Sequence, residues 1–358
     1  MEIITSVDDK YAMHLGAMIV SMFENTKFPE KISINILNSN LSLENKRYFS
    51  KSIEKYGGKI KFIEIDSKRF EEFHERNYIS RTAYYRIAIP ELFPNEQKVI
   101  YLDCDIILEE DITELNNIDI SDYYVAATCD ENDYLSKEIG LDVGDYFNSG
   151  VLIINIEKWR ESKLTEKIVK FIIDPLNKKN TCDQDALNHT VKGNYRNLGY
   201  EWNYIYDNHN NLIRNRDFKP KLIHFAGNKP WGIFSNHPYK SRYEEYIKLS
   251  LWKDDYEALM RDFFNKKIVI FGASLGGERL FKRLQRLNID IFCFLDNDSS
   301  KWGKLFNGKV IISPTELGNM DNLVICIGSL TYKLEIIAQL KQLGFTLHPF
   351  QPDFFIKG

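Results

Sequence analysis

The hydrophobic pattern of this chain switches between two periods along most of its length. Short runs of aliphatic residues alternate with longer stretches whose apolar positions recur every three or four residues. Residues 2–7 read as a strand, and residues 11–25 as a helix with Leu15, Met18, Ile19 and Met22 on one face. Residues 32–37 form a second strand. Ser42 opens a helix that runs to Tyr56 and ends at Gly57-Gly58. Residues 61–65 form a third strand. Strands separated by helices imply an α/β protein with a mostly parallel, doubly wound sheet. Residues 81–90 follow as a helix stopped by Pro90. Residues 99–105, 122–127, 147–155 and 222–225 are later strands. Residues 164–171 are helical, and residues 182–188 open a helix with acidic residues in its first turn.

The pattern then changes. Across residues 239–264, Tyr243, Tyr246, Leu249, Trp252, Tyr256 and Leu259 recur at helical spacing. This is one helix or two, docked on the first domain. An α/β pattern restarts near Lys266, with strands at residues 266–272, 289–296 and 322–328 and a helix at 278–287. A length of 358 residues agrees with two domains. The expected division is 1–265, with a helical extension over 239–265, and 266–358. The second domain's turn, Gly272-Ala273-Ser274-Leu275-Gly276-Gly277, carries Ser274 where the dinucleotide fingerprint needs a glycine. Asp296 stands roughly where a ribose-binding acid would. The domain reads as Rossmann-like but degenerate, used for packing, dimerisation or acceptor docking rather than nucleotide binding.

Composition narrows the function classes. Hydrophobic residues make up 44% and charged residues 27%, an ordinary globular mix, and a net charge of −4 gives no support for nucleic-acid binding. Cys104, Cys129, Cys182, Cys293 and Cys326 show no metal-ligand spacing and are odd in number, which points to free thiols in a reducing compartment. The N-terminus lacks the basic start and apolar stretch of a signal peptide. No run approaches the length needed to span a membrane. The expectation is a cytoplasmic protein, with peripheral membrane contact and homo-oligomerisation left open.

Chemistry concentrates at Asp103-Cys104-Asp105, which follows the apolar run Val99-Ile100-Tyr101-Leu102. On a continuous strand the two carboxylates would point the same way. Like charges beside a core need a partner, and a divalent cation is the usual one. Ligands of open α/β sheets bind outside the carboxyl ends of strands, where this pair lies. His224 closes another strand. Two carboxylates and an imidazole suit Mn²⁺ better than Ca²⁺, with Mg²⁺ as a substitute. Open positions would take diphosphate oxygens, and Lys229 would add a cation to them. Taken singly, each residue has a plain structural reading: capping aspartates, a core histidine, strand-end asparagines.

Taken in order, the motifs resemble glycosyltransferase family 8, whose members include lipooligosaccharide galactosyltransferases and glycogenin. Thr5-Ser6-Val7-Asp8-Asp9-Lys10-Tyr11-Ala12 is similar to the family's nucleotide loop, with Lys10 in place of a short polar residue. Tyr85-Arg86 resembles its helix arginine, Tyr101-Leu102-Asp103-Cys104-Asp105 its DxD motif, and residues 147–155 its donor-sugar strand. Asp183-Gln184-Asp185 and residues 224–231 complete the likeness, which covers residues 1 to 240 or so.

The resemblance implies a GT-A fold and a retaining, metal-dependent transfer of glucose or galactose from a UDP-sugar to a glycan or glycoprotein. It implies that Ser6 and Asp8 hold the uridine and its ribose, and that Arg86 contacts the donor. Asp103, Asp105 and His224 would bind the metal, and Gly227 and Lys229 the diphosphate. Asp130, Asn148, Asp183 and Gln184 would read hexose hydroxyls. Gln184, with Asp183, takes the catalytic position. A glutamine is a poor nucleophile, so front-face attack is preferred over a covalent intermediate on Asp183 or Asp185. Two alternatives stand beside this reading: a metal-dependent nucleotidyltransferase, which would use the same fold and DxD but have no need of Asp183-Gln184-Asp185, and a non-catalytic sugar-nucleotide-binding protein.

Overall fold

The computed structural model describes the chain except residues 74–80, 131–132, 143, 175, 178–181, 207–217, 233–234, 321, 330, 349–350 and 358. Two units are distinguished: Met1–Lys229 with His237–Lys253, and Pro230–Asn236 with Asp254–Gly358.

In the first unit the strands are β1 (Glu2–Ser6), β2 (Ser33–Asn38), β3 (Lys59–Glu64), β4 (Lys98–Leu102), β5 (Ile106–Leu108), β6 (Val125–Cys129), β7 (Phe147–Asn155), β8 (Tyr195–Asn197) and β9 (Leu222–His224). Seven of them form one sheet in the order β3-β2-β1-β4-β7-β6-β8, and β5 pairs separately with β9. Neighbours run parallel except at β7, which is antiparallel to β4 and to β6. The central strands are buried on both faces, which explains their unbroken apolar runs.

The helix Leu43–Lys55 starts as its sequence predicts, with Ser42 Oγ accepting from the Asn45 N–H. Two local expectations are corrected. Residues 81–88 form a 3-10 helix, and Pro90 does not stop it. It sits in the first turn of the helix Ile89–Leu92, where its missing N–H leaves no bond unmade. The strand expected over residues 99–105 ends at Leu102, because the chain bends away to start β5.

The helix Ala12–Glu24 is buried from Ala12 to Phe23. The helix Lys240–Leu249 packs along one side of it. His14 Nδ1 lies 2.6 Å from Tyr243 Oη, and Asn25 Nδ2 donates to Tyr246 Oη at 3.0 Å. Burial, above all, holds His14 at a pKa of about 3, so this contact is between neutral groups. Trp252 closes the face, its Nε1 donating to Asn45 Oδ1 at 2.9 Å. The indole lies against Gly16, where a Cβ would stand 2.4 Å from Trp252 Cε3. No helix of the described residues is long and apolar enough to cross a membrane. None of the five cysteines forms a disulfide.

In the second unit the strands are β10 (Lys267–Phe271), β11 (Cys293–Leu295), β12 (Leu305–Phe306), β13 (Lys309–Ile312), β14 (Leu323–Ile327), β15 (Phe345–His348) and β16 (Gln351–Lys357), in the order β12-β13-β11-β10-β14-β16-β15. The core β13-β11-β10-β14 is parallel. The helix Lys253–Phe264 falls, but for its first residue, in this unit. The glycines of the turn serve close backbone packing. A Cβ on Gly276 would stand 2.0 Å from the Gly328 carbonyl oxygen, and one on Gly277 1.9 Å from that of Gly272. Asp296 turns inward: its Oδ2 accepts from the Ala273 N–H and from Lys301 Nζ, each at 2.9 Å.

Gly16 separates two effects. Helix propensity alone predicts that Gly16→Ala stabilises by about 1 kcal/mol. The clash with Trp252 predicts a loss of roughly 1–3 kcal/mol from overpacking. The structure predicts a lower thermal midpoint, read by circular dichroism; a raised midpoint would show that Trp252 gives way freely.

Candidate active site

The site is assembled by one turn of chain and one short ladder. At the end of β4 the Asp103 N–H donates to the Gly150 carbonyl at 2.8 Å, and the chain then bends through Cys104 and Asp105 into β5. Strand β5 pairs antiparallel with β9, setting Ile106 opposite His224. The Phe225 N–H donates to the Asp105 carbonyl at 2.9 Å. A residue from far downstream thus lands beside the two aspartates. The aspartates converge because the chain bends between strands of two different sheets, not because they alternate along one strand.

Each carboxylate divides its oxygens between two tasks. Asp103 Oδ1 accepts from Arg86 Nη2 and from Tyr101 Oη, both at 2.9 Å, while Oδ2 lies 3.7 Å from His224 Nε2. Asp105 Oδ2 accepts from Lys229 Nζ at 2.5 Å, while Oδ1 lies 3.3 Å from the same Nε2. One ligand atom from each of the three residues lies within 4.8 Å of the others.

Arg86 is buried and donates from all three of its nitrogens. Its Nη1 donates to the Ser149 carbonyl at 2.6 Å and to Ser149 Oγ at 2.9 Å, and its Nε to the Ala83 carbonyl at 2.8 Å. Asp183 Oδ2 stands 3.1 Å from Nε as an ion pair, since the single Nε–H is already given to Ala83. The guanidinium also lies over the Tyr101 ring, 4.6 Å from its centre. Because the Tyr101 hydroxyl donates to Asp103, the Ser6 hydroxyl, 3.0 Å away, donates to Tyr101.

Burial is the largest single influence on Asp105, Lys229 and Asp183, and the oppositely charged neighbours oppose it. For Asp105, burial is outweighed by Lys229 and His224 together, which hold the carboxyl well below its usual range. For Lys229, burial is opposed chiefly by Asp105, and the pKa rises. For Asp183, burial prevails over Arg86 and the pKa rises.

A second set of bonds joins the helix Asp183–Val191 to β7. Gln184 Oε1 accepts from the Ser149 N–H at 3.0 Å, Asn148 Nδ2 at 3.2 Å and Ser149 Oγ at 3.3 Å. Its Nε2 donates to Tyr146 Oη at 3.2 Å, and that hydroxyl donates to Asp185 Oδ1 at 2.6 Å. Asp185 Oδ2 accepts from the Cys182 N–H at 2.9 Å and so caps its own helix. Asn188 grips the Phe147 backbone from both sides, at 2.8 Å each.

Ser6, Arg86, Asp103, Asp105, Asn148, Asp183, Gln184, His224 and Lys229 are therefore linked by short contacts. Three other expected residues are placed by local structure. Asp8 Oδ1 accepts from the Tyr11 N–H at 3.1 Å, and the Asp130 N–H donates to the Tyr146 carbonyl at 2.8 Å. Gly227 is exposed between His224 and Lys229. Tyr101, Ser149 and Gly150 lay inside the quoted motifs without a role, and Asn203 lay outside every motif. Asn203 Oδ1 faces His224 Nδ1 at 2.9 Å, and its Nδ2 donates to Asn148 Oδ1 at 2.8 Å.

The family model described as Glycosyl transferase family 8 matches residues 2–233. This chain belongs to glycosyl transferase family 8. General stress protein A of Bacillus subtilis is 34% identical over 270 residues, covering 70% of this chain and 94% of its own. A lipopolysaccharide 1,2-glucosyltransferase of Escherichia coli is 28% identical over 265 residues, covering 69% of this chain and 78% of its own. Among solved structures, the galactosyltransferase LgtC, in complex with donor and acceptor sugar analogs, is similar at a TM-score of 0.64. It is 26% identical and covers 71% of this chain and 99% of its own. The first unit thus has the GT-A fold. A second family model, described as C2185-like, N-terminal, matches residues 264–347.

Divalent metals are common among GT-A glycosyltransferases, and the residues here fit one. Two carboxylate oxygens and an imidazole nitrogen make a hard, mixed donor set. The backbone leaves them room: a Cβ on Gly150 would stand 2.2 Å from His224 Cε1 and 2.8 Å from Asp103 Oδ2.

Arg86 is the residue whose loss should be felt most in the folded state. Arg86→Met leaves Asp103 and the buried Asp183 without their shared cation, and removing one member of a buried pair costs about 3–5 kcal/mol. Urea unfolding followed by tyrosine fluorescence should show the midpoint fall accordingly. An unchanged midpoint would show that the carboxylates do not depend on Arg86.

Proposed function

We propose that this glycosyltransferase is a retaining, metal-dependent hexosyltransferase. It moves glucose or galactose from the corresponding UDP-sugar to a glycan or glycosylated-protein acceptor. The observation that carries this reading is the convergence of Asp103 Oδ2, Asp105 Oδ1 and His224 Nε2 on one point, with Lys229 alongside. The glucosyltransferase of Escherichia coli and the galactosyltransferase LgtC support the donor class. In this reading the first unit is catalytic and the second accessory.

Asp103, Asp105 and His224 would hold a divalent ion, Mn²⁺ by its tolerance of nitrogen beside oxygen. When bound, the ion supplies positive charge against the negative charge that develops on the departing diphosphate. Lys229 adds to that stabilisation by changing partner from Asp105 to a phosphate oxygen. Ser6 and Asp8 take the nucleoside, Gly227 lets the backbone approach the diphosphate, and Asp130, Asn148 and Asp183 read hexose hydroxyls.

Gln184 has no lone pair available for nucleophilic attack, since its Oε1 accepts three hydrogen bonds. Asp185 is committed to Tyr146 and to its helix cap. Asp183 is paired with Arg86. These commitments favour front-face attack. The acceptor hydroxyl bonds to the anomeric carbon on the face from which UDP departs, and its proton passes to the leaving phosphate oxygen. Gln184 and Asp183 then hold the hexose rather than bond to it.

The test is a UDP-release assay over a panel of UDP-sugars with and without Mn²⁺. Turnover is expected with UDP-glucose or UDP-galactose, and chelation should abolish it. Asp103→Asn should lose activity and metal response together. Gln184→Ala should lower turnover by roughly 10²-fold, the cost of a misplaced reactant, while UDP still binds. Full turnover in the presence of chelator would overturn the metal reading, and unchanged turnover in Gln184→Ala would remove that residue from the mechanism.

A further inference from the structure

Asn203 is completely buried, and both ends of its carboxamide are used. Its orientation follows from a backbone group that can only donate. The Gly150 N–H gives its proton to Asn148 at 2.9 Å, so the receiving atom is Oδ1. That same Oδ1 faces Asn203 at 2.8 Å, so Asn203 must present Nδ2 to it. Asn203 Oδ1 is then turned to His224 Nδ1, 2.9 Å away, and an amide oxygen can only accept. The proton of the neutral imidazole is therefore on Nδ1. The lone pair is on Nε2, which faces Asp103 Oδ2 and Asp105 Oδ1.

The other tautomer would behave differently. An Nε2–H would stand 3.3 Å from Asp105 Oδ1 and donate to it. A proton would then occupy the space where three acceptors now converge. We propose that Asn203 is a positioning residue that selects the Nδ1–H tautomer of His224 and so makes the ring an acceptor toward a divalent cation. Its anchor runs through Asn148 to Gln184, so the imidazole and the carboxamide proposed to hold the hexose are set by one chain of hydrogen bonds. Partners of this kind on the distal nitrogen of a ligating histidine orient the ring and raise metal affinity. The tautomer follows from the hydrogen bonds alone; its consequence for the cation rests on the metal reading above.

Two measurements on the full chain separate these. The first is imidazole ¹⁵N NMR of histidine-labelled, metal-free protein, with His224 assigned through His224→Gln. The wild type should show Nδ1 protonated and Nε2 bare, and Asn203→Leu should shift His224 toward Nε2–H. The second is Mn²⁺ binding followed by electron paramagnetic resonance. Asn203→Leu should bind Mn²⁺ roughly 10–100-fold more weakly, the usual cost of losing such a partner. Asn203→Asp keeps an acceptor toward Nδ1 and should keep the Nδ1–H tautomer with most of the affinity. A neutral wild-type His224 protonated on Nε2 and bare on Nδ1 overturns the inference, as does an Asn203→Leu protein with unchanged tautomer and unchanged Mn²⁺ affinity. If Asn203→Leu fails to fold, the wild-type tautomer and Asn203→Asp still decide. Wild-type protein that shows the expected tautomer but binds no Mn²⁺ would refute the metal reading and leave the tautomer assignment standing.

Discussion

Two carboxylates held on one bend of chain set the terms for everything around them. Asp103 and Asp105 are separated by a single residue and cannot both be ionised near a core without compensation. The structure answers with a division of labour. One oxygen of each goes to a cation, Arg86 for Asp103 and Lys229 for Asp105, and the other turns toward His224 Nε2. The buried Arg86 reaches its place from the 3-10 helix by bonding the backbone of Ala83 and Ser149. His224 reaches its place through the β5–β9 ladder. The remaining polar residues of the site extend outward from these fixed points, through Asn203, Asn148 and Gln184 to the helix Asp183–Val191.

This arrangement explains why so much of the site was legible in the sequence and why some of it was not. The strand Phe147–Asn155 reads from the sequence at its true bounds, because the apolar run Val151-Leu152-Ile153-Ile154 between polar flanks has few other solutions. Ser42 announced its helix by a cap that works through neighbours in sequence. Long-range pairing carries no such mark. Nothing in Ile106-Ile107-Leu108 or in Leu222-Ile223-His224 says that the two runs pair with each other, apart from the main sheet. The convergence of the aspartates was anticipated for the wrong reason, strand alternation in place of a bend. Pro90 reads as a helix stop in sequence although it opens the next helix, because the first turn of a helix tolerates proline as well as a helix end does. Asn203 gave no signal at all: its importance lies in the atoms at either end of its amide, which come from residues 148 and 224.

The second unit shows how one glycine pattern serves two purposes. In a dinucleotide site, glycines let the backbone approach a pyrophosphate and let a helix pack on a strand. Here Gly276 and Gly277 face the backbone oxygens of Gly328 and Gly272, so helix-to-strand packing accounts for both. Asp296, at the position a ribose-binding acid would hold, is turned onto the Ala273 N–H and Lys301. These contacts agree with a unit whose turn is built for packing, while Asp103, Asp105 and His224 lie in the first unit.

The central claim is that Asp103, Asp105 and His224 surround one divalent cation. It is tested most directly by an anomalous difference map, recorded at the manganese absorption edge from crystals grown with Mn²⁺ and UDP. The account predicts one strong peak bounded by the three side chains, with UDP phosphate density on its open side. UDP density with no anomalous peak among those three residues would contradict it.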